Sequence, residues 1–353
     1  MPVALNHDVT LDQDATVGGL TVDASATFTA GDGNLRTLTL SPDAVVTIDG
    51  GLSAQGAYYL ARGNNTLQNK PGSTLELNAA AAQGKLDFNG SFRILDSLTL
   101  QQNGFVLNPT PEYAPGSFLI YANNSSAGTP HKLADEWDQH DPYHLRLRNG
   151  SHLDLGAGGT GVSRTVRGDL TIDPGCGLFM DFASNDMTAP LVVKGDADIE
   201  GSLSLSNQTG GDLKVGGNLQ AHYATTNLST LERAIFFTGT SLQELRLKDP
   251  VDKLILENNA QLSLQTDVTQ RNTSTNPTIL DVGSGAQLDI TSGITLDCDH
   301  GQIANAGTIA IASGGSLVQR GTGLSNARNG TYEVSRSITA PDHRRFNYWS
   351  SPL

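Results

Sequence analysis

The sequence predicts an all-β protein, a parallel β-helix of about twelve coils with three short strands in each. Three observations predict it. The first is a repeated phrase: a turn dipeptide, a small residue, then alternating aliphatics. Its clearest copy is PGSTLEL at 71–77. Others are SPDAVVTI at 41–48, NGSHLDL at 149–155, PGCGLFM at 174–180, NNAQLSL at 258–264, SGAQLDI at 284–290 and SGGSLVQ at 313–319, with a weaker DASATFT from 23. Aligned on the phrase, so that the second is counted from Pro42, the copies start at 23, 42, 71, 149, 174, 258, 284 and 313. Most neighbours lie one solenoid period apart, and the two long gaps are each about three periods. The second observation is composition. Charged residues are 16% of 353, and Gly numbers 39, which suits tight turns and short strands rather than amphipathic helices. The third is the two-residue alternation inside each phrase, which sends one set of side chains inward and the other outward. A β-sandwich explains the alternation and the turns, but not a phrase repeated at a fixed period.

The region 254–319 justifies three strands per coil. Leu254 to Leu256, Leu262 to Leu264 and a strand from Val268 form one coil. Ile279 to Val282, Leu288 to Ile290 and Ile294 to Leu296 form the next. Ile303, Ile309 to Ile311 and Leu317–Val318 form a third. Asn-Asn, Ser-Gly, Asp-His-Gly and Asn-Ala-Gly separate them, and these residues tolerate the left-handed backbone of tight turns. Stacked in register, each aliphatic covers its counterpart in the neighbouring coil. A fully buried Leu or Ile contributes about 1.5–3 kcal/mol, and no coil buries its face alone.

Two stretches interrupt the pattern. Residues 109–144 carry no evident strand-turn phrase and read as a loop inserted on one flank. Residues 266–277 read as a short polar surface loop. The expected organisation is a β-helix over 1–321 with the insertion at 109–144, then a β segment over 322–353 that opens a further domain. With a strand at 9–11 and no capping element before it, the chain reads as part of something longer.

Composition also excludes partners. The net charge of −14 opposes a phosphate backbone, so no nucleic acid is expected. No apolar run of about 18 residues exists to span a membrane, and the first residues lack the basic start and apolar core of a signal peptide. Cys176 and Cys298 are too few for a disulfide framework and read as small buried thiols.

The candidate contact site is the dense end of the 109–144 stretch: Trp137, Asp138, His140, Asp141 and Tyr143. Trp137 and Tyr143, with Tyr121, have the chemistry of an aromatic platform for sugar rings or a protein partner. Oxygen ligands there suit Ca²⁺, and His with Asp suits Zn²⁺. His140 and His144 have helical spacing, but Pro142 between them opposes a helix. No metal or other cofactor is therefore expected, with Ca²⁺ the cation the acidic chain best accommodates. A catalytic reading rests on Asp297-Cys298-Asp299-His300-Gly301, which loosely resembles the active-site strings of polygalacturonases. It holds a carboxylate pair and a His, but such sites need two or three carboxylates, or carboxylates with Arg or Lys, projecting from adjacent coils, and no second cluster lies one coil away. GAGGTG at 156–161 lacks the strand-helix context of a dinucleotide loop. Thr39, Thr47, Thr99, Thr171 and Thr295 do not fall one period apart on a single face, so strand propensity explains them.

After 321 the character changes: NGTYEVSRSITAPDHRRFNYWSSPL at 329–353 brings bulky Phe346, Tyr348 and Trp349, and Tyr332 to Val334 reads as a strand of different register. Gly330 to Val334 with Arg336 and Ile338, followed by the run from Phe346 to Pro352, resembles a segment of large Bacteroidetes surface proteins. There a GTY-V-R-I line precedes YWSSPV, and here Leu353 replaces the final Val. GGNL at 216–219 and LILENNAQLSL at 254–264 are similar to their repeats. That resemblance implies a cargo of the type IX secretion pathway, secreted or held at the cell surface, and often adhesive. The expected function is a non-enzymatic rod that presents contact loops to an extracellular protein or glycan. The alternatives are a carbohydrate-active β-helix enzyme and a subunit of a filament or homo-oligomer.

Overall fold

The computed structural model describes residues 110–122, 127–230, 232–271, 278–299, 301–320 and 329–336, together with the strands before 109. The strand-turn phrases wind into a parallel β-solenoid with almost no helix. Its spine is one fifteen-stranded sheet running from Val9–Leu11 to Thr331–Val334, with every pairing parallel and each rung one coil further along the chain. Ten of these strands, from Phe118–Ala122 onward, delimit about nine turns with described side chains. Twelve coils were expected for the whole chain.

In residues 131–318 the coils add a second and a third face, as the spacing predicted. A seven-stranded sheet runs from Arg164–Val166 to Gln302–Asn305. The third face is a five-stranded sheet from His131–Lys132 to Asn227–Ser229, resumed by three strands from Val268–Thr269 to Ser316–Val318. Like stacks on like along the axis: Leu254 faces Leu280, which faces Ile303, and Leu262 faces Leu288, which faces Ile309. These side chains and Leu153 are at most 1% exposed. The core is thus one continuous column through the rod.

One corner shows how consecutive coils are fastened. RGDL at 167–170, KGDA at 194–197 and GGNL at 216–219 each place Gly then Asp or Asn just before a spine strand. The N–H of Asp169 donates to His144 Nδ1 (2.9 Å), that of Asp196 to Asp169 Oδ1 (2.9 Å), and that of Asn218 to Asp196 Oδ1 (2.7 Å). Glu244 N–H then donates to Asn218 Oδ1 at 2.8 Å. A Cβ on Gly195 would overlap Asp169 Oδ1, and one on Gly217 would overlap Asp196 Oδ1. The ladder therefore demands glycine at these positions.

The spine is handed to a new register at one of its strands. Leu219 faces Leu245, but Leu245 faces Leu264, so the six-residue strand Leu242–Leu247 hands the spine over by two residues. The new inward column opens on Gln243, which is 1% exposed. Its amide pairs with backbone around the shift: Nε2 donates to the carbonyls of Gly217 and of Val215 (3.2 Å), the latter also held by Thr238 N–H (2.9 Å), and Oε1 accepts from Gly239 N–H (2.9 Å). In the same turn the third face lacks a strand. Asp249 accepts from Leu228 N–H (2.9 Å), and Asp252 from Glu232 N–H (3.0 Å) and the Thr230 hydroxyl.

Two expectations are corrected. The stretch 109–144 is no excursion from the rod. Phe118–Ala122 sits in the spine between Ser97–Gln101 and His144–Arg148, and His131–Lys132 opens the third face. At the other end, Thr331–Val334 pairs with Thr308–Ile311 in the continuing register, with Tyr332 above Ile309 and Val334 above Ile311. The spine therefore runs beyond 321. The aromatic run at 346–349 and residues 272–277 of the polar stretch at 266–277 lie outside the described residues.

Candidate functional site

The five residues expected to make contact lie where the third face begins, and the structure divides them. Trp137 ends a 3-10 turn, Asp135–Trp137, and is 0% exposed; its indole Nε1 donates to Asp141 Oδ1 at 3.3 Å. Tyr121 is equally buried. Neither offers an aromatic platform, because both are inward-facing members of the coil. Asp138 and His140 stand exposed, with His140 Nδ1 at 3.4 Å from the Thr110 carbonyl oxygen. Tyr143 is half-buried, edge-on to His144 with centroids 4.7 Å apart, and the Arg167 guanidinium lies 5.7 Å from its ring centre. Arg167 is itself tied to the carbonyls of Asp141 (3.1 Å) and Tyr113. The solvent-facing part of the expected site is thus the turn holding Asp138 and His140.

Beneath that turn lies a buried polar knot which sequence reasoning missed. Glu136 Oε1 accepts from the Tyr121 hydroxyl (2.9 Å) and Ala134 N–H (3.2 Å), and sits 3.3 Å from His131 Nε2. The Tyr113 hydroxyl donates to the Glu136 carbonyl at 2.8 Å. Burial first, then the Glu136 charge, pushes both phenols well above their usual value. Arg164 crosses from the next coil to the carbonyls of Trp137 and Gly158. Burial lowers its pKa, while Asp138, Tyr121, Asp141 and Glu136 oppose that shift. Glycines 156 and 158 of GAGGTG serve packing: Cβ atoms there would strike Asn185 and the side chains of Arg164 and Leu133. The knot fixes the turn in place and exposes no reactive group.

The Asp297–Asp299 string is engaged rather than open. Arg320 pairs with Asp297 at 2.6 Å and with Asp299 at 3.9 Å. Cys298 is buried, donates its thiol to Gln270 Oε1 at 3.1 Å, and is pushed up by that burial and by Asp297. His300 lies outside the described residues.

A different set of titratable groups shares the outward side of the spine. Asp198 projects between buried Ala197 and Ile199, with Glu200 just beyond the strand. Gln220 takes the Asp198 position one coil later and Arg246 the next, and Tyr223 lies in the turn just after Gln220, within reach of Asp198. The Tyr223 phenol is pushed up to about 12, first by desolvation, then by its hydrogen bond to Asp198 and the charges of Asp198 and Glu200. Such a phenol donates a hydrogen bond at neutral pH and is a poor base. The coil period aligns 198, 220 and 246 once the register is known, and no sequence signal brings in Tyr223, which lies in the turn after Leu219–Ala221. Among the described residues, no group of three or more His, Cys, Asp or Glu has a metal-holding arrangement.

No family model, curated protein or solved structure matches this chain. The functional reading therefore rests on geometry. Among the described residues, no helix is long and apolar enough to cross a membrane.

Proposed function

We propose that the chain is a non-catalytic scaffold of a secreted or surface-displayed bacterial protein, a rod that holds adhesive contacts away from the cell. The observation that carries this reading is the unbroken fifteen-stranded parallel spine, which turns a moderate chain into a stiff spacer roughly 65 Å long at about 4.8 Å per rung. The exposed Asp138–His140 turn, braced from below by Glu136 and Arg164, is its first contact surface, and an extracellular protein or glycan its partner. The resemblance of the 329–353 segment to type IX cargo supports the extracellular setting. No cofactor is proposed.

One observation favours a rival enzymatic reading: Asp198, Glu200, Tyr223 and Arg246 share a face across adjoining coils. The two readings are separated by incubating the intact protein with immobilised polysaccharides. The scaffold reading expects retention on a polysaccharide or on cells, without release of soluble oligosaccharide. Release that disappears in the Asp198→Asn, Glu200→Gln double variant would replace it with the enzymatic one.

A further inference from the structure

One coil makes an excursion that the stacking of strands does not require. After Gly177–Phe179 on the third face, residues 181–186 leave the rod and return, and Met187 N–H donates to the Met180 carbonyl at 2.9 Å across the neck. Both methionines are fully buried and anchor the excursion. Asn185 Nδ2 donates to Asp154 Oδ2 at 2.7 Å, and Thr188 N–H to the Thr160 carbonyl at 2.7 Å, which fastens it to the preceding coil. Asn185 presses so closely on Gly156 that a side chain there has no room. The segment is therefore held in one position before any partner arrives, which lowers the ordering cost of binding.

What this rigid excursion presents is aromatic and acidic. Phe182 lies beside Phe179, with centroids 6.0 Å apart and planes tilted 44°. On its other side Phe179 stacks on His152 at 6.0 Å with planes 9° apart, across Gly177, which leaves room for both rings. In the following rungs Phe179 is succeeded by Ser204 and then Ser229, and Gly177 by Ser202. The phenyl ring thus stands at a step, with a shelf of small hydroxyl residues beyond it. Phe179 and Phe182 remain partly exposed. Asp181 and Asp186 flank the rings, and Asp186 Oδ1 is enclosed without a hydrogen-bond partner.

We infer that the step formed by Phe179, Phe182, Asp181, Asp186 and Ser204 is a binding site for a neutral glycan. A pyranose has an apolar C–H face, which packs on an aromatic ring, and a rim of hydroxyl donors. Carboxylate acceptors at the edge of the ring receive such donors in charge-assisted hydrogen bonds. The serine shelf leaves space for the sugar and supplies further donors and acceptors. Anionic glycans are repelled, because Asp154, Asp181 and Asp186 act on the same place. The inference rests on the contact role proposed above and moves its glycan contact from the Asp138–His140 turn to this step.

The test uses the full chain on arrayed neutral hexose and N-acetylhexosamine oligosaccharides, with uronate-containing and sulfated oligosaccharides as a second arm. Affinity for the best neutral glycan is then measured by calorimetry for Phe182→Ala, Asp186→Asn, the Asp138→Ala, His140→Ala pair that tests the rival surface, and Asp289→Ala, an outward carboxylate of a distant coil, as control. Thermal melts confirm that each variant is folded, and Phe182→Leu gives a second reading that keeps the excursion's bulk. The expected result is neutral-glycan binding that falls about tenfold or more in both Phe182 variants, weakens in Asp186→Asn and stays unchanged in Asp289→Ala. Binding confined to acidic glycans, or unaffected by Phe182, overturns the site. If it is lost instead in the Asp138, His140 pair, the site fails while the adhesive role stands. Absence of all glycan binding, with the protein still retained on cells, overturns the glycan and likewise leaves adhesion.

Discussion

Leu288 and Asp289 are adjacent in the chain, yet they face opposite environments. Leu288 is 0% exposed, stacked between Leu262 and Ile309, whereas Asp289 faces outward and meets Gln287 Nε2 at 2.7 Å. Leu288→Ala should cost about 2–5 kcal/mol, because rigid coils above and below cannot collapse into the gap. Asp289→Ala should stay within about 0.5 kcal/mol. Urea titration of the two variants checks this, and equal effects would deny the inward column. Asp181 provides a pH prediction. Burial raises its pKa above the ordinary carboxylate value, helped by Asp186 and Asp154 and opposed by its bond from Ser204. Its proton therefore binds the folded state more tightly. That stability is fully present below the unfolded pKa and is lost as pH rises through the raised folded one. The stability difference between wild type and Asp181→Asn should accordingly change in favour of the variant from about pH 4 toward neutrality, read by paired thermal melts. A pH-independent difference would contradict it.

At the scale of elements, the strands of 253–318 were legible because Leu, Ile and Val alternate with polar residues between Gly and Asn turns. The repeated phrase proved to mark a turn followed by a strand, not one face. Its copies lie on the spine (Gln261–Leu264), on the third face (Gly177–Phe179) and on the N-terminal sheet (Val45–Ile48), which is why their spacing was uneven. The strand Phe118–Ala122 was missed although Pro115-Gly116-Ser117 introduces it. Its outward positions are Phe118, stacked on His144 at 4.6 Å, and half-buried Ile120, so the apolar-polar alternation disappears. The expected contact site failed in part for a related reason. Bulk alone does not tell an exposed platform from a core residue, and Trp137 belongs to the core. Gln243 was illegible because its role follows from a two-residue register shift that no local pattern announces. Gln243→Leu should cost about 1–3 kcal/mol by taking away the side-chain partner of the Gly217 carbonyl and of the Gly239 N–H. Hydrogen exchange should quicken at 237–247 and not in distant coils; uniform quickening would count against a local cap.

For the whole molecule, the account depends on one axis along which every coil adds the same rise. Ile120, Thr171, Gln220 and Glu333 all belong to spine strands, the first three lying nine, seven and five rungs from the last. Spin labels at Glu333 and at each of the others in turn, with the buried Cys176 and Cys298 replaced by Ala, convert that statement into distances. Pulsed electron–electron resonance should give separations of roughly 43, 34 and 24 Å, a linear fall of about 4.8 Å per rung. Separations that do not scale with rung number would contradict the solenoid and the scaffold role with it.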